Sequence, residues 1–138
     1  MPNFNDATIT RLFVSQLGST VEDDTPNAPN KGDFCVNIEM AAGTGLQSVA
    51  YTLIWGCNDI TLGAKAPGMV PTTLGNGQFD VAPWTKDPSG LFWKYEEQAT
   101  VTRPAAAGQG HIYQYSATLT NANGQVASYA LSDPFVVL

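Results

Sequence analysis

The segment DFCVNIEMA, residues 33–41, sets Phe34, Val36, Ile38 and Met40 at every second position, with Cys35, Asn37 and Glu39 between them. Successive side chains of an extended chain point to opposite sides, so a period of two marks a strand with one face in a core. A helix would scatter the same apolar residues around its circumference. The alternation recurs in SVAYTLIWG (Val49, Tyr51, Leu53, Trp55), in LFWKYEEQATVTR (Leu91, Trp93, Tyr95, Ala99, Val101) and in HIYQYSATLT (Tyr113, Tyr115, Ala117, Leu119). Gly- and Pro-rich stretches separate the runs. With no apolar repeat at helical spacing, this pattern predicts an all-β chain, an antiparallel β-sandwich of about seven strands forming one domain over residues 1–138.

The remaining segments fill in this plan. DATITRLFVSQL, residues 6–17, reads as a first strand in which Ile9 and Phe13 share one face and Leu12 and Val14 the other, as a bulge or a strand shifting between two sheets would produce. Ser19 and Glu22 have capping-box spacing, but Pro26 and Pro29 follow without apolar periodicity, so this region is a loop. The 33–41 and 48–56 runs, joined by AGTG, are expected to form a hairpin. Residues 57–90 are rich in Pro and Gly, so strands there should be short or at an edge. Glu97 falls on the apolar face of its run, and a bulge or strand end is expected to turn it outward, because a lone buried carboxylate is costly. A three-residue loop, Ala122-Asn123-Gly124, would pair Leu119 with Ala127, Ala117 with Tyr129 and Tyr115 with Leu131, burying one apolar face. Gly124 would take the left-handed position of that loop.

The last quarter, YQYSATLTNANGQVASYALSDPFVVL, has a Tyr-rich strand, a short Asn/Gly turn and a strand broken by Pro134 and closed by apolar residues. It resembles the final hairpin of immunoglobulin-like and fibronectin-type-III-like domains, and its SDPFVVL resembles the last strand of a bacterial inclusion-body protein family. The resemblance implies an immunoglobulin-like topology, with a jelly roll as the other arrangement. The immunoglobulin pair of core cysteines flanking a Trp is not reproduced, since Cys57 follows Trp55 by two residues. No functional residue is carried over.

Charged residues make up 13% of the chain, against about 25% in an average domain. A surface this poor in charge is either solvated by Thr, Asn, Gln and Ser or covered by a partner. Net charge is −6, with six scattered Lys and Arg, which disfavours nucleic acid and anionic membranes. No apolar run approaches the ~20 residues that span a bilayer. The N-terminus, MPNFNDATIT, has neither the basic region nor the apolar stretch of a signal peptide, so the expected location is cytoplasmic or within an assembled particle. A chain from which a leader had been removed would read the same way.

One His, His111, and two Cys are too few for a local metal centre or a catalytic triad. The reading assigns no catalytic residue, no metal ion and no cofactor. Acidic residues at Glu22-Asp23-Asp24, and Asp59, Asp80 and Asp87 in or beside other loops, lack calcium-ligand spacing. Candidate binding residues are Trp84 in a Pro-rich loop, Phe92 opposite the core face of its strand, and their neighbours Lys86 and Asp87. Aromatic bodies with polar neighbours suit a sugar or a protein partner, although Trp84 folded onto the core as a lid would serve packing alone. The candidate assembly edge is Phe135, Val136, Val137 and Leu138, whose apolar side chains on both faces require cover. The functional expectation is a non-catalytic, self-associating structural or protein-interaction subunit, a homo-oligomer or the companion of a protein partner. The alternative is a lectin-like carbohydrate-binding domain using loop aromatics.

Cys35 lies opposite the buried face of its strand and Cys57 on the buried side of its own, so their Cβ atoms do not point together as a disulfide needs. Alkylation of the unfolded protein without reductant should therefore add two adducts to the intact mass; an unmodified mass would establish a bridge.

Overall fold

The computed structural model describes residues 7–28, 31–43, 50–70, 77–78, 85–121 and 123–138. Phe34, Val36, Ile38 and Met40 are fully buried, in one cluster with Leu53, Trp55, Tyr115, Ala117 and Leu119. The alternating faces thus meet as two antiparallel sheets packed on one another. The strands are β1 (Thr8–Gln16), β2 (Phe34–Gly43), β3 (Ala50–Asp59), β4 (Ala64–Lys65), β5 (Gly77–Gln78), β6 (Thr85–Lys86), β7 (Phe92–Val101), β8 (Ile112–Asn121), β9 (Val126–Leu131) and β10 (Phe135–Val136). The first sheet runs β1-β2-β7-β6. The second runs β10-β8-β3-β4, with β9 also paired to β8 and β5 to β3. Two single-turn 3₁₀ segments, Pro67–Met69 and Ala106–Gly108, are the only helical elements among the described residues. The all-β sandwich is as the alternation predicts, and between β3 and β7 the strands among the described residues are two residues each, in keeping with the prolines there.

β1 carries a register shift between Ile9 and Arg11. Beyond it Leu12 and Val14 pair with the core residues Ile38 and Val36, while Phe13 pairs with Asn37 on the outer face. Phe13, Cys35 and Asn37 are nevertheless buried, because the chain after β1 folds back over them. Asn37 Nδ2 donates to Ser15 Oγ at 2.8 Å, and Gln98 Nε2 donates to Asn37 Oδ1 at 2.9 Å and to the Ser19 carbonyl at 2.7 Å. These bonds satisfy polar groups that burial would otherwise leave unpaired.

Four expectations are corrected. β2 and β3 are not a hairpin: β2 pairs with β1 and β7, and β3 pairs with β8 in the other sheet. Alternation fixes which side of a strand is buried, and packing two apolar faces against each other satisfies it as well as pairing them edge to edge. Glu97 does not turn outward. β7 runs opposite β2 from Phe92 to Val101 without a register shift, and Glu97 lies directly across from the core residue Ile38.

The third correction concerns the last hairpin. The loop is as expected: Gly124 has φ +77° and donates to the Asn121 carbonyl, and the Asn121 amide donates to the Gln125 carbonyl. A bulge then shifts the register, with Thr120 opposite Val126 but Leu119 opposite Ser128 and Thr118 opposite Tyr129. Ala127 and Ser128 are both buried, and Tyr129 and Leu131, expected in the core, are 59% and 52% exposed. The bulge is anchored across the sandwich, where the Ile9 amide donates to Ser128 Oγ at 2.9 Å.

The fourth concerns the end of the chain. After Pro134 the strand does not change partner. β9 lies along residues 116–120 of β8, and β10 along Ile112 and Tyr113. At the break, Ser132 Oγ accepts from the Tyr115 amide, replacing a ladder bond. The other edge of β10 is not bare either. The Val136 amide donates to the Asp24 carbonyl at 2.8 Å, and Arg103 Nε donates to the Leu138 carbonyl at 2.7 Å. The buried Asn27 side chain accepts from the Leu138 amide and donates to the Leu138 and Gly32 carbonyls. Phe135 and Val137 are buried. The sequence argument for strand addition at Phe135, Val136, Val137 and Leu138 therefore loses its premise, since this edge is covered by the 24–27 segment of the same chain.

Asn27→Ala removes three hydrogen bonds from this clasp. It should lower stability by about 1–3 kcal/mol, the usual cost of unpairing part-buried backbone groups, and should speed amide exchange at Val136 and Leu138. A urea midpoint unchanged from that of the parent would show that the clasp is dispensable.

Candidate functional site

The β6–β7 hairpin holds three of the binding residues expected from the sequence, Lys86, Asp87 and Phe92. The Asp87 amide donates to the Phe92 carbonyl at 2.9 Å, and Gly90, at φ +76°, donates to the Asp87 carbonyl to close the turn. Asp87 Oδ2 accepts from the Ser89 amide at 3.0 Å, and Lys94 Nζ stands 3.8 Å from Oδ1. The Ser89 hydroxyl and amide hold the Asp87 carboxyl below its ordinary range, with Lys94 adding to the effect. Asp87 is thus a turn former whose carboxylate is engaged locally. Phe92 is half-buried on the outer side of β7, across from Gly43. The turn brings Lys86, Asp87 and Phe92 within one hairpin. Trp84 lies outside the described residues, as do the side chain of Lys86 and the acidic residue Asp80.

His111 meets Asp59 where β8 begins beside the end of β3. Its Nδ1 is 2.7 Å from Asp59 Oδ2, and the Leu62 amide donates to Asp59 Oδ1 at 3.1 Å. Burial raises the Asp59 pKa, but hydrogen bonds from His111 and from the Leu62 and Thr61 amides, with the His111 charge, outweigh it and leave the carboxyl lowered. The pair ties the β3–β4 turn to β8. The nearby Cys57 thiol is pushed up to about 12, mainly by burial and then by the Asp59 charge, against a hydrogen bond from Tyr115. A thiol held that far above neutral pH is a poor nucleophile. Both cysteines are free and buried. Among the described residues no group of three or more His, Cys, Asp or Glu is placed to hold a metal ion.

Glu97 is an inward-facing carboxyl on β7. Its Oε2 is buried without a hydrogen-bond partner among the described residues, and burial raises its pKa. Tyr95, two residues earlier on the same side of β7, is raised by burial and by the Glu97 charge.

The outer face of the second sheet was not anticipated. Tyr129, Thr118 and Ile54 form one row across β9, β8 and β3, and Leu131, Ser116 and Gly56 form the next. Ile54 is 50% exposed and Val126, opposite Thr120, 64%. No Asp or Glu occupies a described outward position of β3, β4, β8, β9 or β10; Lys65, paired with Asn58, is the one charged side chain there. The outer face of the first sheet, by contrast, carries Arg11, Glu39, Lys94 and Glu96. Gly56 leaves the second face locally low: a Cβ there would stand 2.6 Å from Ser116 Oγ. The resulting depression, about 380 Å³, is walled by Ile54, Lys65, Pro67 and Val70. The bulge at Ala127 hid this face from sequence reasoning, because it inverts Tyr129 and Leu131 and no residue type marks it.

In fold, the chain is similar to a solved structure described as a "putative beta-galactosidase from Bacteroides fragilis", with a TM-score of 0.51 and 19% sequence identity. The match covers 95% of this chain and 17% of that one. At this identity the likeness shows the sandwich fold alone. No family model and no curated protein matches the chain. No helix among the described residues is long and apolar enough to cross a membrane.

Asp59 and Glu97 give opposite pH dependences. Asp59 has a lowered folded pKa, so its contribution is present above the ordinary carboxyl value of about 4 and is lost as pH falls through the folded value. Glu97 has a raised folded pKa, so its contribution is present below that ordinary value and is lost as pH rises through the folded one. Asp59→Asn should destabilise at pH 7 and flatten the acid limb of a stability–pH curve. Glu97→Gln should stabilise at pH 7 and have little effect below pH ~4. Equal effects of either substitution at both ends of the curve would contradict the assignment.

Proposed function

We propose that the chain is a non-catalytic structural or protein-interaction subunit that works through the outer face of its second sheet. The observation that carries this reading is the composition of that face: Ile54, Val126, Tyr129 and Leu131 stand exposed among Thr and Ser, without a carboxylate in any described outward position. Depletion of charge with enrichment in aromatic residues is the compositional mark of an interface core. Covering one such half-exposed side chain is worth on the order of 1 kcal/mol, so several acting together are needed for a specific contact. The short loops and engaged polar groups around Asp59, His111 and Asp87 fit a scaffold whose polar residues hold turns together.

A second reading, a carbohydrate-binding module, is supported by the fold likeness to part of a protein described as a beta-galactosidase and by the Phe92, Lys86 and Asp87 hairpin. A photo-crosslinking residue at Tyr129, in cells that make the protein, should give protein adducts, and the same residue at Thr100 on the first sheet should give none. No adduct at Tyr129, together with calcium-independent or calcium-dependent glycan-array binding that Trp84→Ala abolishes, would replace the first reading by the second.

A further inference from the structure

We propose that the protein surface covering the second sheet is that of a second copy of this chain, stacked face to face about a two-fold axis that runs parallel to the strands between β8 and β3. This deepens the interaction reading above and rests on it. Charge supplies the first argument. Each copy carries a net charge of −6, so copies repel unless they meet where carboxylates are excluded. Among the described faces the outer side of the second sheet has that property; the first sheet would oppose Glu39 and Glu96 to their equivalents.

Shape supplies the second. The face bears a ridge along β9, Tyr129 and Leu131, and a depression on its other flank, floored by Gly56 and walled by Pro67 and Val70. An isologous contact must be complementary to itself. The stated axis exchanges β9 with the β4 flank at equal height, so Leu131, in the Gly56 row, comes over the partner's depression. An axis across the strands would instead set ridge on ridge. Area supplies the third. β8 and β3 pair over nine residues, Tyr51–Asp59, and the face is four strands wide. At about 3.4 Å per residue and 4.8 Å per strand, its projection is on the order of 600 Å². The accessible area of a corrugated surface is larger, which brings it to the order of 800 Å² per partner in a stable interface.

Light scattering across a dilution series should give twice the chain mass at the highest concentrations, and Leu131→Arg, at an exposed position that folding tolerates, should raise the dimer dissociation constant at least tenfold. Thr118→Cys, beside the axis, should be linked to its equivalent by a short bis-maleimide that spans stacked sheets about 10 Å apart, and Thr100→Cys on the first sheet should not. A protein that stays monomeric throughout, or a dimer cross-linked through Thr100 and not Thr118, overturns the proposal. A monomer that still gives Tyr129 photo-adducts to another protein overturns self-pairing and leaves the interaction reading standing; a monomer without such adducts overturns both.

Discussion

Phe135 sits where the two sheets are joined. Its ring lies 5.7 Å from that of Phe34 in the first sheet, and 5.5 and 6.1 Å from those of Tyr115 and Tyr113 in the second. Fully burying such a side chain is worth about 1.5–3 kcal/mol, and aromatic neighbours at these spacings add to it. Much of the local architecture follows from bringing this ring inside. Pro134 interrupts the ladder, Ser132 takes over the Tyr115 amide, and β10 rejoins β8 with Phe135 opposite Tyr113. The 24–27 segment closes the outer edge, so the strand that carries Phe135 is held on both sides.

The two sheets solve the problem of a low-charge surface differently. The first places Arg11, Glu39, Lys94 and Glu96 outward and folds residues after β1 across its outer face, bridging Ser15, Asn37, Gln98 and Ser19. Among the described residues the second has no such cover over Ile54, Tyr129 and Leu131. The asymmetry gives the molecule one face suited to water and one suited to contact. The buried polar groups do not weaken this division: Asp59 and His111 satisfy each other, and the unpaired Glu97 oxygen lies toward the interior.

The sandwich was legible because alternation reports burial directly, and β2, β3, β7 and β8 each carry it over ten residues. Pairing was less legible. β2 and β3 are neighbours in sequence with matching patterns, yet they belong to opposite sheets, and alternation contains no information on that choice. Gly124 revealed the geometry of its own turn, but the bulge at Ala127 depends on a hydrogen bond from Ile9, 119 residues away from Ser128. That contact inverted Tyr129 and Leu131 and concealed the candidate face. Glu97 was misplaced for the opposite reason: a general rule about lone carboxylates was set against the local pattern, and the pattern prevailed. Of the candidate binding residues, Asp87 and Phe92 do share a hairpin, whereas Trp84 lies outside the described residues.

The clasp between Asn27 and Leu138 joins positions 111 residues apart, and the bond from Ile9 to Ser128 spans 119. Loops this long must close before their contacts stabilise anything, which places the chain among slow-folding topologies. During synthesis β1 and β2 emerge well before the ring that joins the sheets and the residue that secures it. A ribosome-bound chain that lacks them has both apolar faces formed in sequence and neither closed in space. The sandwich therefore closes only once Leu138 has been made, and the interval before that is when its unpaired strands are most open to chaperones or to one another.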